Sequence, residues 1–232
     1  MLRIGTAGWA IRREYQDSFP GEGSHLARYA ARLNAVEINS SFYRPHRPAT
    51  YAKWARETPA GFSFSVKMPR AITHEARLAD AGEALAWFLG ECGELGGKLG
   101  CILIQLPPSL AFRRTDFFGR LRALYPGPAA LEPRHESWFA READALLKRH
   151  RIARVAADPP VDAFAPGGFE GFEYWRLHGS PKIYYSDYGN DALHALAARV
   201  APDAWVIFDN TALGHAAGNA LTLTKVARGA GR

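Results

Sequence analysis

Residues 62–68, FSFSVKM, decide the fold, because their large apolar side chains alternate strictly with small or charged polar ones. Alternate residues of an extended strand face opposite sides, so the phenylalanines, Val66 and Met68 are expected on one face and the serines and Lys67 on the other. The apolar face is suited to packing against helices. The polar face predicts an interior that becomes charged where the strand ends.

The same alternation recurs in seven other segments, and helix-like segments separate them. The predicted strands cover residues 2–9, 35–42, 62–68, 101–106, 129–134, 152–158, 174–178 and 204–209. The predicted helices cover residues 24–33, 82–94, 115–124, 141–150, 191–200 and 215–226, with one more that begins near Pro48. Only the sixth crossover, residues 159–172 (PPVDAFAPGGFEGF), lacks a helical pattern. Strands that alternate with helices are typical of a parallel α/β fold.

One register sends the polar ends of all eight strands into a shared interior, which favours a barrel over a sandwich. We therefore predict a TIM (β/α)8 barrel that spans residues 1–232 as a single domain and lacks a full helix in its sixth crossover. Enzymes of this architecture hold their active sites at the carboxyl-terminal rim. The side chains expected at that rim are Trp9, Asn39, Lys67, Gln105, Arg134, Asp158, His178 and Asp209.

The composition is that of one globular domain with no concentrated basic surface. A chain of 232 residues, 47% of them hydrophobic, is long enough to bury one sizeable core. The net charge of +6 is dispersed along the chain, so nucleic acid is not the favoured partner. Cys92 and Cys101 fit no disulfide framework or CxxC motif, and no apolar run approaches the roughly 18 residues of a membrane span. These features predict a cytoplasmic protein without a membrane partner.

Seven charged side chains are expected to face the interior, where each needs a partner. They are Glu37, Lys67, Glu132, Arg134, Asp158, Arg176 and Asp209. An isolated ion in a dry core costs several kcal/mol, so these groups must pair with one another or open to water. They form either a compact, nearly neutral pocket for a polar ligand or a salt-bridge lattice that stabilises the barrel.

Three of the interior residues are candidate catalytic groups. Glu132 and His178 are the expected acid and base, although a structural hydrogen bond is the alternative role of His178. Lys67 would act either as an amine nucleophile or as a cation that binds an anionic substrate. The binding role is favoured, because neighbouring carboxylates such as Glu37 would raise the pKa of the lysine.

Other rim residues are candidates for substrate binding. Arg134 and Arg176 would form a fork for a phosphate or carboxylate, or would simply neutralise nearby acids. Aromatic side chains beyond the strand ends would stack on a sugar or a base, or would only pack the loops. The predicted binding residues are Glu37, Asn39, Tyr43, Gln105, Arg134, Trp138, Asp158, Arg176 and Asp209.

Coordination of a divalent metal ion is the alternative role of the interior acids. Glu37, Glu132, His178 and Asp209 offer oxygen and nitrogen ligands. The chain has no HxH or HExxH spacing, however, and three cationic side chains would share the same space. The sequence therefore predicts no cofactor and assigns no metal ligands.

Several motifs together resemble one bacterial family. They are residues 36–78 (VEINSSFYRPHRPATYAKWARETPAGFSFSVKMPRAITHEARL), 103–109 (LIQLPPS), 131–139 (LEPRHESWF), 175–179 (WRLHG) and 206–221 (VIFDNTALGHAAGNAL). The chain is similar over nearly its whole length to the family called domain of unknown function 72, also described as YecE-like. The resemblance implies a TIM barrel but no particular activity.

The resemblance also bears on individual residues. The positions that match the family motifs are Glu37, Asn39, Lys67, Gln105, Glu132, Arg134, His178 and Asn210. Asn210 joins the predicted binding residues on this ground. Many relatives carry a pair of asparagines after the last strand, whereas this chain has Asp209 followed by Asn210, so the role of Asp209 does not follow from the resemblance.

The function predicted from the sequence is general acid/base catalysis on a small anionic or sugar-like substrate. Hydrolase, lyase and isomerase chemistry all remain open. The alternative is a protein that binds nucleic acid, or a metal-dependent phosphodiesterase similar to the apurinic endonuclease barrels. A closed pocket would favour the small ligand, and an arginine-lined groove would favour the nucleic acid.

Overall fold

The structure is a computed structural model that describes residues 1–79 and 81–230, and within them strands and helices alternate as predicted. The strands are β1 (Arg3–Thr6), β2 (Ala35–Ile38), β3 (Ser63–Lys67), β4 (Leu99–Gln105), β5 (Ala129–Glu132), β6 (Ile152–Arg154), β7 (Ala156–Asp158), β8 (Gly167–Gly168), β9 (Tyr174–Leu177) and β10 (Trp205–Phe208). The α-helices are α1 (His25–Ala30), α2 (Pro48–Glu57), α3 (Gly82–Gly93), α4 (Phe117–Leu124), α5 (Arg141–Arg149), α6 (Asn190–Ala197) and α7 (His215–Ala230). The predicted α/β class is confirmed.

The strands form two sheets rather than one closed sheet. One sheet has the order β1-β10-β9-β7, and the other has the order β2-β3-β4-β5-β6-β8. Every pairing is parallel except that of β8 with β6, which is antiparallel. The predicted single closed barrel is therefore not confirmed. The structure shows parallel α/β architecture with two separate hydrogen-bonded sheets.

A tyrosine hydroxyl explains why β1 and β2 do not pair directly. Tyr29 Oη accepts a hydrogen bond from the backbone N–H of Thr6 at 2.9 Å and donates to the carbonyl of Ala35 at 3.0 Å. The hydroxyl thus takes the place of a direct bond between the two strands. Beyond it, the N–H of Gly8 donates to the carbonyl of Glu37 at 2.8 Å, which links the sheets again.

The second junction lies in the stretch predicted as one strand over residues 152–158. Its first half, β6, pairs with β5, and its second half, β7, pairs with β9. Val155 separates the halves and donates its N–H to the carbonyl of Leu131. At Val155 the chain therefore passes from the sheet that contains β5 to the sheet that contains β9.

Two hydrophobic clusters confirm the alternation of faces. The outer cluster, against the helices, contains Phe62, Phe64, Val66 and Met68 of the β3 segment. The inner cluster contains Ala35, Cys101, Leu103, Ala130, Ala153, Val155, Ala157, Tyr174, Trp205 and Ile207. Tyr174 stacks on Trp205 with ring centroids 5.9 Å apart, and a Cβ on Gly100 would lie 2.5 Å from the Trp205 ring. Only a glycine fits at that approach.

The ends of several elements differ from the prediction for local reasons. The strand predicted over residues 35–42 ends at Ile38, because residues 40–42 form a 3-10 turn in which Ser41 Oγ donates to the carbonyls of Ile38 and Lys67. Helix α1 begins where predicted, with Ser24 Oγ accepting the N–H of Ala27. Between residues 159 and 172 the structure has only the short strand β8 and no helix, as predicted.

Membrane insertion has no candidate segment in the part of the chain that the structure describes. Across residues 1–79 and 81–230, no helix combines the length and the apolar character that a bilayer span requires.

Candidate functional site

The carboxyl ends of the strands bring charged side chains together above the inner hydrophobic cluster. On β2, β5, β9 and β10, each inner apolar residue is followed two positions later by a polar one. These pairs are Ala35 and Glu37, Ala130 and Glu132, Tyr174 and Arg176, and Ile207 and Asp209. We call Glu37, Glu132, Arg134, Arg176, His178 and Asp209 the rim cluster.

Arg176 lies at the centre of the rim cluster and is fully buried. Its Nε and Nη2 donate to the two carboxylate oxygens of Glu37 at 2.9 and 2.7 Å, a bidentate contact. Its Nη1 donates to Glu132 Oε2 at 3.0 Å, and its Nη2 lies 3.0 Å from Asp209 Oδ2. One guanidinium therefore faces three carboxylates.

A buried tyrosine also contacts the carboxylate of Glu37. Tyr174 Oη lies 3.0 Å from Glu37 Oε2 and 2.9 Å from Ser65 Oγ. Both Tyr174 and Glu37 are fully buried, so this carboxylate has no access to solvent. Its contacts fit a structural role in holding Arg176.

His178 is held between two carboxylates. Its Nδ1 lies 2.9 Å from Asp209 Oδ2, and its Nε2 lies 2.8 Å from Glu132 Oε1. Arg134 Nη2 lies 2.7 Å from the same Nε2 and 2.5 Å from the same Glu132 oxygen. Because an ionised carboxylate only accepts hydrogen bonds, Nδ1 bears a proton directed at Asp209. The other ring nitrogen, Nε2, lies beside both an acceptor, Glu132 Oε1, and a donor, Arg134 Nη2.

Electrostatics favour the ionised forms of two acids of the cluster, Glu132 and Asp209. Burial alone would raise the pKa of Glu132, but the positive charges of Arg176 and Arg134 outweigh it and hold that pKa well below the usual range. Burial likewise acts to raise the pKa of Asp209, but Arg176 and His178 lower it. Glu132 is also fully buried. The geometry therefore makes Glu132 a partner for its neighbours rather than the acid or base expected from the sequence.

Lys67 ends β3 and is only 5% exposed, yet it makes no ion pair with any described carboxylate. Its Nζ lies 4.1 Å from the centroid of the Phe42 ring. Burial and the charge of Arg176 lower its pKa to about 8, although Glu37, Glu132 and Asp209 act in the opposite direction. The nearby carboxylates act in the expected direction, but burial and Arg176 outweigh them, so the net shift is downward.

Other predicted binding residues lie near the cluster without joining its hydrogen bonds. Gln105 ends β4 and pairs in register with Glu132. Asn39 directly follows β2, and its Oδ1 is buried without a hydrogen-bond partner among the described residues. Tyr43 is 70% exposed. These three side chains remain predictions as ligand contacts.

Two predicted binding residues have structural partners instead. Trp138 is buried and donates its indole N–H to the carbonyl of Leu110 at 2.9 Å. Asp158 accepts from Tyr188 Oη at 2.6 Å. Its neighbour Ala157 faces the interior in its place.

Asn210 is fully buried beyond β10 and holds a loop. Its Nδ2 donates to Asn219 Oδ1 at 2.8 Å and to the carbonyl of Ser186 at 3.0 Å. These contacts anchor the loop after His178 to helix α7.

Two aromatic neighbours of the site are absent from the predicted binding residues, although Tyr184 is one of the aromatic side chains expected beyond the strand ends. Phe42 covers the Lys67 amine, and Tyr184 packs its ring against His178 with centroids 5.9 Å apart. Tyr184 has a backbone φ of 69°, a conformation that non-glycine residues adopt uncommonly. Neither contact has a local signal, since both depend on how a loop folds back over a strand end.

The acids of the rim cluster do not surround an open metal position in the described residues. No group of three or more His, Cys, Asp and Glu side chains there has the arrangement of a metal site. The guanidinium of Arg176 lies where the carboxylates of Glu37, Glu132 and Asp209 meet. It supplies the positive charge that these three acids need.

Comparison with known proteins settles the family. The family described as protein of unknown function DUF72 matches residues 3–231, nearly the whole chain. The chain belongs to this family. Among solved structures of DUF72 proteins, one from Thermotoga maritima MSB8 is 27% identical with a TM-score of 0.79, covering 98% of this chain and 99% of that one. One from Enterococcus faecalis V583 is 23% identical, again with a TM-score of 0.79, over 98% and 96% of the two chains.

Two curated relatives carry the same family resemblance over part of their length. The UPF0759 protein YecE of Escherichia coli strain K12 is 30% identical over 149 residues, which are 61% of this chain and 55% of that protein. The UPF0759 protein YunF of Bacillus subtilis strain 168 is 29% identical over 149 residues, 60% of this chain and 53% of the relative. The aligned stretch thus spans about half the length of either relative.

Proposed function

We propose that this DUF72 protein is an enzyme that acts on a small anionic or sugar-like substrate by general acid/base chemistry at the carboxyl ends of its strands. The observation that supports it is the surroundings of His178 Nε2, with Glu132 Oε1 at 2.8 Å and Arg134 Nη2 at 2.7 Å. An imidazolium donates to the carboxylate, and a neutral imidazole accepts from the guanidinium. Each protonation state of His178 has a ready partner, which suits a group that takes up and releases a proton.

Asp209 and Glu132 act as positioning residues in this proposal. Asp209 fixes the tautomer of His178 through the 2.9 Å contact with Nδ1, so that proton exchange is confined to Nε2. Glu132 stabilises the protonated form of the ring. Lys67 remains a candidate catalytic residue.

Arg134 is the substrate-binding residue that the geometry favours. Its side chain is 16% exposed, whereas those of Arg176, His178 and Glu132 are fully buried. An anionic group of the substrate would draw the guanidinium away from Nε2 and free the ring nitrogen for proton transfer. Tyr184, which is 45% exposed over the His178 ring, is the second side chain that would move.

The proposal treats the two sheets as one functional barrel with its site at the carboxyl-terminal rim, in a single-domain protein of the cytoplasm. Support comes from the two junctions, at Gly8 with Glu37 and at Val155, where the sheets meet edge to edge. The preferred partner is a small ligand rather than a nucleic acid, since the acids and bases of the rim cluster nearly cancel.

The test is to incubate the protein with an extract of small metabolites and follow their loss and gain by mass spectrometry. We expect one anionic or sugar-like compound to be converted by the wild type and not by H178N. The asparagine amide can still donate to Asp209, but it offers nothing at the position of Nε2. An isobaric product would indicate an isomerase, addition of water a hydrolase, and cleavage without water a lyase.

One control variant makes the result decisive. R134A is expected to weaken ligand retention while still unfolding in a cooperative thermal transition. Conversion that persists in H178N, or a wild-type protein that changes no compound in the extract, would contradict the proposal.

A further inference from the structure

Lys67 differs from the other buried cation of the interior in having no ionic partner. Arg176 faces three carboxylates, whereas no carboxylate among the described residues lies within ion-pair distance of Lys67 Nζ. The amine is buried at the end of β3 against the face of Phe42, 4.1 Å from the ring centroid. A cation–π contact compensates only part of the cost of burying an ammonium, so the neutral amine is favoured here compared with water.

The backbone and a second polar group also mark this position. Ser41 Oγ donates to the carbonyl of Lys67 at 2.7 Å, which fixes the strand end from which the side chain projects. Asn39 follows β2, whose last residue pairs with Val66, the residue before Lys67. The Oδ1 of Asn39 is buried and has no partner among the described residues. A free amine and an unpaired amide oxygen therefore end two adjacent strands.

We propose that Lys67 is the nucleophile of this site and that the substrate is a small aldehyde or ketone with an anionic group, an inference that rests on the proposed function. The lysine attacks the carbonyl carbon and forms a covalent iminium. Arg134 binds the anionic group. The unpaired Oδ1 of Asn39 accepts a hydrogen bond from a hydroxyl of the substrate.

The chemical step balances without any further cofactor. The lone pair of the neutral amine forms a C–N bond to the carbonyl carbon, and the carbonyl π electrons move to oxygen, which takes up the proton that the nitrogen releases. The resulting carbinolamine loses its hydroxyl as water after a second protonation. In total, one amine, one carbonyl compound and one proton give one iminium ion and one water. His178 Nε2 is the group proposed to deliver that proton.

The charges around the amine support a neutral nucleophile at moderate pH. The groups that act on it from neighbouring elements are Arg176, Glu37, Glu132, Asp209 and His74. Burial together with these charges lowers the pKa of Lys67 to about 8. Near pH 8 about half of the Lys67 side chains are then neutral, against less than ~1% for an ordinary lysine with a pKa of about 10.4.

Reductive trapping tests the inference on the intact protein. The protein is incubated at pH 8 with glyoxylate, an aldehyde with a carboxylate, and with cyanoborohydride, and the reduced adducts are mapped by peptide mass spectrometry. We expect the early adduct at Lys67 to exceed that at the exposed Lys53 at least about tenfold, given its larger neutral fraction. Lys53 and the amino terminus are internal controls in the same sample.

Variants and a neutral probe sharpen the assignment. K67R should lose the preferential adduct, and R134A should slow capture of glyoxylate more than capture of neutral glycolaldehyde. Equal labelling of Lys67 and Lys53 in the wild type would overturn the inference whatever the variants do. Lys67 labelling with no dependence of metabolite conversion on His178 would refute the acid/base proposal alone, and His178-dependent conversion without a Lys67 adduct would refute the covalent step alone.

Discussion

Arg176 and Lys67 are two cations in one interior, and their surroundings differ almost completely. Arg176 is fully buried and donates to Glu37 and Glu132 while contacting Asp209. Lys67 ends a strand of the other sheet, has an aromatic ring for a neighbour and has no described carboxylate in contact. The same interior therefore holds one cation that is fully neutralised and one that is not.

The difference separates a structural role from a chemical one. A guanidinium with several charge-assisted hydrogen bonds is fixed in place and cannot give up its proton. A buried ammonium without a counter-ion loses its proton readily and gains reactivity. The sequence offered an ion-pair lattice and a reactive pocket as alternatives; the lattice surrounds Arg176, and Lys67 is where we propose the reactive group.

The largest expected effect is on stability when Arg176 is removed. R176M leaves three buried carboxylates without their shared partner, and we expect the free energy of unfolding to fall by about 3–5 kcal/mol or more. Urea denaturation at pH 7 measures this. R134M, which removes a partly exposed guanidinium, is the matched control and should cost less than half as much. Equal losses in the two variants would contradict the central role of Arg176.

Lys67 is expected to behave in the opposite direction. Its folded pKa of about 8 lies below that of the unfolded chain, near 10.4, so the charged amine destabilises the folded state at neutral pH. K67M should raise the free energy of unfolding at pH 7, by up to roughly 3 kcal/mol at 1.36 kcal/mol per pKa unit.

The sign of the pH dependence provides the check. Between pH 8 and 10.4 the unfolded chain binds more protons at Lys67 than the folded one. The free energy of unfolding of the wild type therefore rises with pH across this range. The advantage of K67M over the wild type should therefore shrink across that range. An advantage that is constant or grows would mean that Lys67 is an ordinary lysine.

The sequence predicts which side chains meet but not how they pair. The alternation along residues 62–68 and along β9 is enough to send Lys67 and Arg176 inward, since a strand period of two leaves no other choice. Their partners depend on the stagger between strands. The β3–β4 register shifts between Phe64 and Ser65, and nothing in the local pattern announces it.

Other failures have the same origin in contacts distant along the chain. Asp158 was expected inside, but Ala153, Val155 and Ala157 are the interior residues of this stretch, and Asp158 accepts instead from Tyr188, 30 residues away. The closed sheet was expected at β1 and β2, but Tyr29 from the intervening helix places its hydroxyl between them. Trp138 was a candidate for stacking on a ligand, with loop packing as the alternative, and its indole donates to a carbonyl 28 residues away.

Glu132 tests the lattice from the acidic side. E132Q keeps the shape of the side chain but removes the charge that faces Arg176 and Arg134, and we expect a loss of about 1.5–3 kcal/mol at pH 7. Its folded pKa is depressed, so the stability it contributes is present above the unfolded value of about 4.3 and is lost as the pH falls below it.

Acid unfolding therefore distinguishes the variant from the wild type. The difference in unfolding free energy between wild type and E132Q should be constant above pH 5 and should shrink at lower pH. E136Q, which removes a charge from the exposed residue Glu136, is the control with no expected effect and no such pH profile. A pH-independent difference would mean that Glu132 acts through packing rather than charge.

The smallest expected effect is on nucleic-acid binding, where we predict weak association that is lost in salt. A protein that makes six or more phosphate contacts loses roughly a thousandfold or more in affinity between 50 and 200 mM salt. Here Arg176 is enclosed by acids, which leaves Arg134 as the one guanidinium of the rim cluster that can meet an anion, far fewer than six contacts. Labelled single- and double-stranded oligonucleotides titrated at both salt concentrations decide the matter. Sub-micromolar affinity that persists at 200 mM and falls in K67A or R134A would make Lys67 a phosphate ligand, and the unpaired amine would then be a binding group rather than a nucleophile.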